Sequence, residues 1–287
     1  MSHASLPAFA EMKRRRERIA MVTAYDAPSA QLAAAARIDI VLVGDSAAMT
    51  VFGHTSTTSI TVDELLILAR AVRRGAPDLP IVADLPFGSY QVSDDDAVAN
   101  AVRFVKEAGI DAVKLEGAGP VLRRVGAIID AGVPVMGHIG LTPQSVTLLG
   151  GYKPQGRTAA KANRLVEEAR ALERAGCFAI VLEAIPEPVA AGVTRALKIP
   201  TIGIGAGAAC DGQVLVWHDL LGLTRGHVPR FVKQYADLGD QAIKALEAYV
   251  ADVRAGRFPA PEHGYSMPPD ERELFESALV APLDDEE

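Results

Sequence analysis

The stretch ALERAGCFAIVLEAI, residues 171–185, contains the unit that recurs along this chain of 287 residues. A helical pattern ends at Gly176, and a continuous apolar run follows. Glycine commonly ends a helix, and a continuous run rich in Val and Ile is typical of a strand covered on both faces. EAGIDAV (107–113) and DAGVPV (130–135) repeat the same order. The repeated unit therefore predicts helices that alternate with parallel strands.

Strand-like runs and helical patterns extend this alternation along most of the chain. The predicted strands lie within residues 18–26, 38–46, 79–87, 111–117, 133–140, 178–185, 199–207 and 213–217. The clearest helical patterns cover residues 62–75, 95–109, 121–132, 159–176 and 236–256. This number of strands over roughly 220 residues predicts an α/β fold, a closed (β/α)8 TIM barrel. The competing doubly wound open sheet is disfavoured, because the first strand is not followed by G-x-G-x-x-G.

Composition sets the domain organisation and excludes several classes of function. We predict one barrel domain over residues 1–265, including a C-terminal helix, and a flexible acidic and Pro-rich tail over residues 266–287. The net charge of −7 disfavours nucleic-acid binding. Apolar runs stay below the roughly 18 residues of a membrane span, and we expect no membrane association. Two cysteines, Cys177 and Cys210, and no targeting pattern predict a cytoplasmic protein.

Polar residues stand at the ends of successive predicted strands, where apolar residues would be expected. They are Asp45, Ser46, Asp84, Lys114, Glu116, His138 and Glu183. In barrel enzymes the carboxyl ends of the strands carry the active site, so these residues are predicted to meet at one mouth. Residues two apart on a strand share a face, and Lys114 and Glu116 should therefore point the same way.

Crowded carboxylates repel one another, so a positive partner is needed at this mouth. Oxygen ligands from Asp45 and Asp84 suit Mg²⁺, and Glu116 is a candidate for a third ligand. Lys114 would favour an anionic substrate. Each residue alone has a simpler explanation: Asp45 as a turn residue, Lys114 in an ion pair with Glu116, His138 as a core histidine. Their shared position on five strands favours the functional interpretation.

Longer motifs carry a resemblance to a known family. They are VGDSAAM (43–49), ADLPFGSYQ (83–91), AVKLEG (112–117), GHIGLTPQSV (137–146), GGYKPQGR (150–157), VLEAIPEP (181–188) and GIGAGAACDGQVLV (203–216). In this order, from about residue 8 to about residue 265, the chain resembles the ketopantoate hydroxymethyltransferase family. It departs from the family pattern at GHTSTTSIT (53–61), a loop that we expect to act as a lid.

The resemblance implies a barrel of the phosphoenolpyruvate/pyruvate type and a specific reaction. It implies Mg²⁺, 5,10-methylenetetrahydrofolate as donor and 3-methyl-2-oxobutanoate, a small 2-oxo acid, as acceptor. The product would be 2-dehydropantoate, on the way to pantothenate. It also implies a homo-oligomer, usually a decamer.

The resemblance also assigns roles to individual residues. Asp45 and Asp84 fall on metal positions that also contact the substrate, and Glu116 on a third acidic position, directly or through water. Ser46 and Lys114 fall on substrate-binding positions, and Glu183 falls on the base that removes the C3 proton. We assign His138 to the substrate-binding set, orienting an oxygen or relaying a proton.

Two alternatives remain open at this point. One is an Mg²⁺-dependent C–C lyase or mutase that acts on a 2-oxo acid without folate. Such barrel lyases often carry a catalytic cysteine in a loop, whereas Cys177 and Cys210 lie elsewhere. The other is a catalytically silent barrel that binds a metabolite or a partner.

Overall fold

The structure, a computed structural model, describes residues 6–280. Eight parallel strands form a closed barrel in sequence order, and β8 pairs with β1 through Ile19 and Gly212. The strands are β1 Ile19–Thr23, β2 Ile40–Val43, β3 Ile81–Asp84, β4 Ala112–Glu116, β5 Val135–Gly140, β6 Ala179–Glu183, β7 Thr201–Ile204 and β8 Gly212–Leu215. The predicted (β/α)8 barrel is confirmed, and each observed strand overlaps a predicted run.

Helices between successive strands pack against the outside of the barrel. In chain order, the α-helices of the described residues are α1 Leu6–Arg15, α2 Ala27–Ala35, α3 Ala47–Thr50, α4 Val62–Gly75, α5 Asp94–Ala108, α6 Val121–Asp130, α7 Val146–Leu149, α8 Ala159–Arg174, α9 Glu187–Ala196, α10 Trp217–Leu220, α11 Leu238–Arg254 and α12 Pro269–Val280. Side-chain caps fix where the longer helices begin. Thr61 and Glu64 form a capping box on α4, and Ser93 caps α5.

Two apolar layers hold the barrel together. The outer layer packs the helices against the outward-facing strand residues, such as Val41, Val113 and Leu182. The inner layer fills the barrel with residues such as Met21, Val82 and Met136. Phe9 of α1 belongs to this inner layer and is fully buried, so α1 covers one end of the barrel.

Helix α1 lies at the amino-terminal ends of the strands. Lys13 Nζ donates to the backbone oxygens of Thr194 and Ile199 and pairs with Asp211 Oδ2, each at 2.9 Å. Because the opposite end of the barrel is left free of α1, polar side chains at the carboxyl ends of the strands can face a ligand.

The described residues divide after Ala236 into two compact units. The first contains the barrel, and the second contains α11 and α12. The domain boundary at residue 265 and the flexible tail stay predictions. The part of that tail within residues 269–280 is helical, and its acidic end, residues 281–287, lies outside the described residues. No helix in the described part of the chain is long and apolar enough to cross a membrane.

Candidate active site

The turn after β2 brings Asp45 and Ser46 next to the end of β3. Gly44 leaves room for the Ser46 side chain in its present position, because a Cβ atom at residue 44 would lie 2.8 Å from Ser46 Oγ. The Asp45 amide donates to Asp84 Oδ2 at 2.9 Å. Ser46 Oγ lies 2.8 Å from the Tyr25 hydroxyl. A single turn thus connects residues from three neighbouring strands.

Strand β4 adds Lys114 and Glu116 to the same buried cluster. Lys114 Nζ lies 2.8 Å from Asp84 Oδ1. Burial lowers the pKa of Lys114, but the charges of Asp84, Glu116 and Asp45 outweigh it and raise the pKa overall. Burial, and then the charges of Asp84 and Glu116, raise the pKa of Asp45 well above its ordinary value. The cluster therefore holds an ammonium group among buried carboxylates that repel one another.

His138 on β5 lies between the two sides of the mouth. Its Nδ1 atom is 3.2 Å from Lys114 Nζ and 3.5 Å from Glu116 Oε1, and its Nε2 atom is 3.2 Å from Glu183 Oε2. The contact with Glu183 lacks hydrogen-bond geometry, so Nε2 makes no hydrogen bond. Burial and Lys114 lower the pKa of His138, but Glu116 and Glu183 outweigh them and raise it to about 9. His138 therefore couples Glu183 electrostatically to the Lys114 cluster.

Unusual backbone conformations hold Glu183, the last residue of β6. Ala184 has φ 47°, a left-handed conformation that is uncommon for a residue other than glycine. Its amide donates to the Ile204 oxygen at 2.8 Å, and its oxygen accepts from the Gln155 amide at 2.9 Å. Gly140 has φ 99°, and a Cβ atom there would lie 2.3 Å from the Glu183 oxygen. These constraints turn the Glu183 side chain, which is 16% exposed, towards His138.

The structure brings the predicted site residues to one end of the barrel, as the strand pattern indicated. One connected cluster contains Asp45, Asp84, Lys114, Glu116, His138 and Glu183, and Ser46 lies at its edge. The positions differ in detail from the prediction. Asp45 and Ser46 lie in the turn beyond β2, and His138 lies two residues before the end of β5. The roles assigned to these residues stay predictions.

Three further residues of the site were missed by the sequence analysis. Gln144 donates to Asp45 Oδ2 at 2.8 Å, and Tyr90 donates to Gln144 Oε1 at 2.6 Å. Tyr152, whose Oη lies 4.0 Å from Met49 Sδ, is close enough for the charges of Asp45, Glu183 and Glu116 to add to burial in raising its pKa. All three lie within the quoted motifs ADLPFGSYQ, GHIGLTPQSV and GGYKPQGR, but only the motifs, and not these positions, were singled out.

The oxygen atoms of Asp45 and Asp84 fit a small divalent cation. Asp84 Oδ1 is buried and accepts no hydrogen bond, although Lys114 Nζ is near, and the side-chain hydrogen bond of Asp45 falls on Oδ2. Within residues 6–280 no group of three or more His, Cys, Asp or Glu side chains forms a metal site. Mg²⁺ usually needs only one or two protein carboxylates beside water and substrate. This donor set therefore suits Mg²⁺ better than a metal that requires a full protein cage.

Comparison with known proteins gives consistent names. The family model described as "Ketopantoate hydroxymethyltransferase" matches residues 3–261. A protein of Oleidesulfovibrio alaskensis is 55% identical over 263 residues, which cover 92% of this chain and 91% of that protein. A protein of Moorella thermoacetica is 54% identical, over 92% of this chain and 98% of its own. Both are named 3-methyl-2-oxobutanoate hydroxymethyltransferase.

Solved structures with low sequence identity share the fold. Phosphonopyruvate hydrolase in complex with oxalate and Mg²⁺ matches with a TM-score of 0.59 and 11% identity, over 97% of each chain. The lyase for 2,3-dimethylmalate, of the PEP mutase/isocitrate lyase superfamily, matches with a TM-score of 0.56 and 16% identity, over 98% of this chain and 100% of its own. These likenesses agree with the (β/α)8 barrel fold of this chain.

The raised pKa of His138 predicts a pH-dependent stability of the metal-free protein. The folded pKa of about 9 exceeds the unfolded value of about 6.5, so the imidazolium stabilises the fold below about pH 6.5. That contribution, on the order of 2–3 kcal/mol, should be lost as the pH rises to about 9. Denaturant unfolding in EDTA, at both ends of this range, measures it.

The matched variant for this measurement is His138→Gln, which keeps a polar side chain but cannot titrate. We expect the unfolding free energy of the variant to change less between the two pH values than that of the parent. An identical pH dependence in both proteins would show that His138 does not carry the stabilising charge.

Proposed function

Since the chain belongs to the ketopantoate hydroxymethyltransferase family, we propose that it transfers a hydroxymethyl group from 5,10-methylenetetrahydrofolate to 3-methyl-2-oxobutanoate. The product would be 2-dehydropantoate. The names of its relatives support a hydroxymethyltransferase of pantothenate synthesis. The donor, the metal and the base are our own assignments. The observation that carries them is the joining of Asp84, Lys114, His138 and Glu183 in one buried mouth.

Asp45 and Asp84 are the residues that would hold Mg²⁺. When bound, Mg²⁺ would polarise the keto group of the 2-oxo acid and offset the repulsion between the carboxylates. We assign Glu116 a contact through water, because its Oε2 atom accepts from the Gln144 amide at 2.9 Å and its Oε1 atom faces His138. The phosphonopyruvate hydrolase of the same fold, seen with oxalate and Mg²⁺, supports this choice of ion.

Lys114 and Ser46 would bind the anionic end of the substrate. The Lys114 ammonium group is held by Asp84, so it keeps its charge in a buried site and can attract the substrate carboxylate. Ser46 Oγ, positioned by the Tyr25 hydroxyl, can donate a hydrogen bond to a substrate oxygen. Together they would orient the C3 carbon towards β6.

Glu183 would act as the base on the C3 proton of the substrate. Its side chain, 16% exposed, is less buried than the other carboxylates of the cluster and is therefore more accessible to a substrate. His138 Nε2, 3.2 Å from Glu183 Oε2, would orient the carboxylate that accepts the proton. The resulting enolate carbon would then form a C–C bond to the one-carbon unit. The two bonds from that unit to the folate nitrogens break, one water molecule supplies the hydroxyl oxygen, and tetrahydrofolate leaves.

Exposed apolar side chains in the loops after β2, β3 and β5 support the folate donor. Four such side chains lie in loops that follow the carboxyl ends of these strands, and each is at least 40% exposed: Met49, Phe52, Phe87 and Tyr152. Aromatic and methionine side chains bind flat ring systems well, since both faces of a ring can contact apolar atoms. This surface therefore suits the pterin ring of the folate.

The lyase alternative is less well supported by the site. Burial raises the pKa of Cys177 to about 12 and that of Cys210 to about 11, so neither thiol is activated as a nucleophile. Both cysteines are free and buried, which also supports our proposal that the enzyme works in the reducing cytoplasm.

An exposed apolar face on α11 supports the homo-oligomer, which we propose to be a decamer. The face comprises Ile243, Leu246, Tyr249, Val250 and Val253. An apolar face of this kind is usually covered by a partner.

Proton exchange tests the proposed chemistry. In D₂O with Mg²⁺ but without folate, we expect the enzyme to remove the C3 proton signal of 3-methyl-2-oxobutanoate in NMR spectra, because the site can form the enolate alone. Adding 5,10-methylenetetrahydrofolate should then give 2-dehydropantoate. Cleavage of a 2-oxo acid without folate, and no hydroxymethyl product with it, would favour the lyase instead.

The variant Glu183→Gln tests the base. We expect the C3 exchange rate to fall about 10²–10⁴-fold, because the amide cannot accept the proton. Mn²⁺ binding, followed by EPR, should stay at the level of the parent, since Glu183 is not assigned to the metal. Exchange at the parent rate in this variant would remove Glu183 from the role of base.

Light scattering after gel filtration tests the assembly. The parent should elute as a homo-oligomer with the mass of a decamer, and Leu246→Lys should reduce that mass because it places a charge in the apolar face. Lys244→Glu, an exposed change on the same helix, is the control. A parent that stays monomeric at every concentration would contradict the proposed assembly.

A further inference from the structure

Gln144, in the short segment after β5, has contacts that tie it to the acidic residues of the mouth. Its side-chain Nε2 donates to Asp45 Oδ2 at 2.8 Å and to the Leu85 oxygen at 2.9 Å. Its backbone amide donates to Glu116 Oε2 at 2.9 Å. One buried residue thus contacts carboxylates that come from two different strands and the backbone just beyond a third.

Tyr90 fixes which way the Gln144 amide faces. The Tyr90 hydroxyl donates to Gln144 Oε1 at 2.6 Å and accepts from the Glu116 amide at 3.3 Å. Because Oε1 accepts from a hydroxyl, the two hydrogens on Nε2 are directed to Asp45 and Leu85. A flipped amide would place Nε2 against the tyrosine hydroxyl and Oε1 against a carboxylate, and would lose these bonds.

We propose that Gln144 is a positioning residue that fixes the orientation of the Asp45 and Glu116 carboxylates for the divalent cation. This inference rests on the proposed Mg²⁺ site. The side chain of Gln144 donates to Asp45 Oδ2 and so directs the other carboxylate oxygen, Oδ1, to the divalent cation. Its backbone amide donates to Glu116 Oε2 while Glu116 Oε1 faces His138, and this bond remains when only the side chain of Gln144 is changed.

The chemistry of the amide explains why a glutamine suits this position. The site needs two donors and one acceptor on one rigid group, and a side-chain amide supplies them without charge. A glutamate would add another negative charge beside Asp45 and Glu116. An apolar side chain of the same length would fill the space but leave Asp45 Oδ2 and the Tyr90 hydroxyl without their partners. Mg²⁺ requires well-ordered oxygen ligands, so loss of the orienting bonds should weaken its binding.

Mn²⁺ titration followed by EPR tests the proposal without using catalysis. In Gln144→Met, which keeps the length of the side chain, we expect the Kd for Mn²⁺ to rise about 10–100-fold. Tyr90→Phe, which removes only the hydroxyl that orients the amide, should raise it in the same direction by a smaller factor. Gln31→Met, an exposed change of the same type on α2, should leave the Kd unchanged.

Thermal unfolding in EDTA shows that each variant is folded at the temperature of the titration, so that a change in Kd reports on the site alone. A folded Gln144→Met with a Kd within about 2-fold of the parent would overturn the positioning role. If Gln144→Met does not fold, the Kd of Tyr90→Phe for Mn²⁺ is compared with that of the parent, and an unchanged Kd would overturn the positioning role. A parent that binds no Mn²⁺ would instead overturn the proposed metal site, and this inference with it.

Discussion

Repulsion between buried carboxylates is the constraint around which this barrel mouth is organised. Asp45, Asp84 and Glu116 are all at most 5% exposed, and the raised pKa of Asp45 reflects burial and the charges of its neighbours. A barrel interior cannot tolerate such a group of charges unless partners offset them. Lys114 and His138 supply positive charge, and Gln144 supplies neutral donors. The remaining negative charge is compatible with the divalent cation proposed for this site.

Glycines and an unusual backbone conformation next to the charged residues help to set the positions of their side chains. Gly44 leaves room for the Ser46 side chain in the turn after β2, and Gly140 lets β5 approach the Glu183 oxygen. Ala184 has a left-handed conformation, and its backbone amide and oxygen are hydrogen-bonded to Ile204 and Gln155 in neighbouring segments. Close backbone approach at Gly140 and the left-handed conformation of Ala184 thus occur beside Glu183. The barrel is the scaffold, and the turns at the strand ends set the positions of the charged side chains.

The same barrel serves several reactions, so the fold alone leaves the chemistry open. Structures at 11% and 16% identity share the architecture and are a phosphonopyruvate hydrolase and a 2,3-dimethylmalate lyase. Function on a common fold depends on the side chains at the mouth and on the loops around it. In this chain the thiols are buried and the base candidate is a carboxylate coupled to a histidine. These features, together with family membership, favour one-carbon transfer over cleavage.

The sequence alone determined the barrel, the strand ends and the residues that meet there, because strand periodicity and helix stops are local properties of the chain. Asp84, Lys114 and Glu183 could be predicted, since each interrupts an apolar run. Gln144 and Tyr90 could not, because their importance lies in hydrogen bonds to residues distant in sequence. The link of His138 to both Glu116 and Glu183 likewise needed the closed barrel. Only tertiary structure decides such contacts, because they depend on distance and direction in space and leave no periodic trace along the chain.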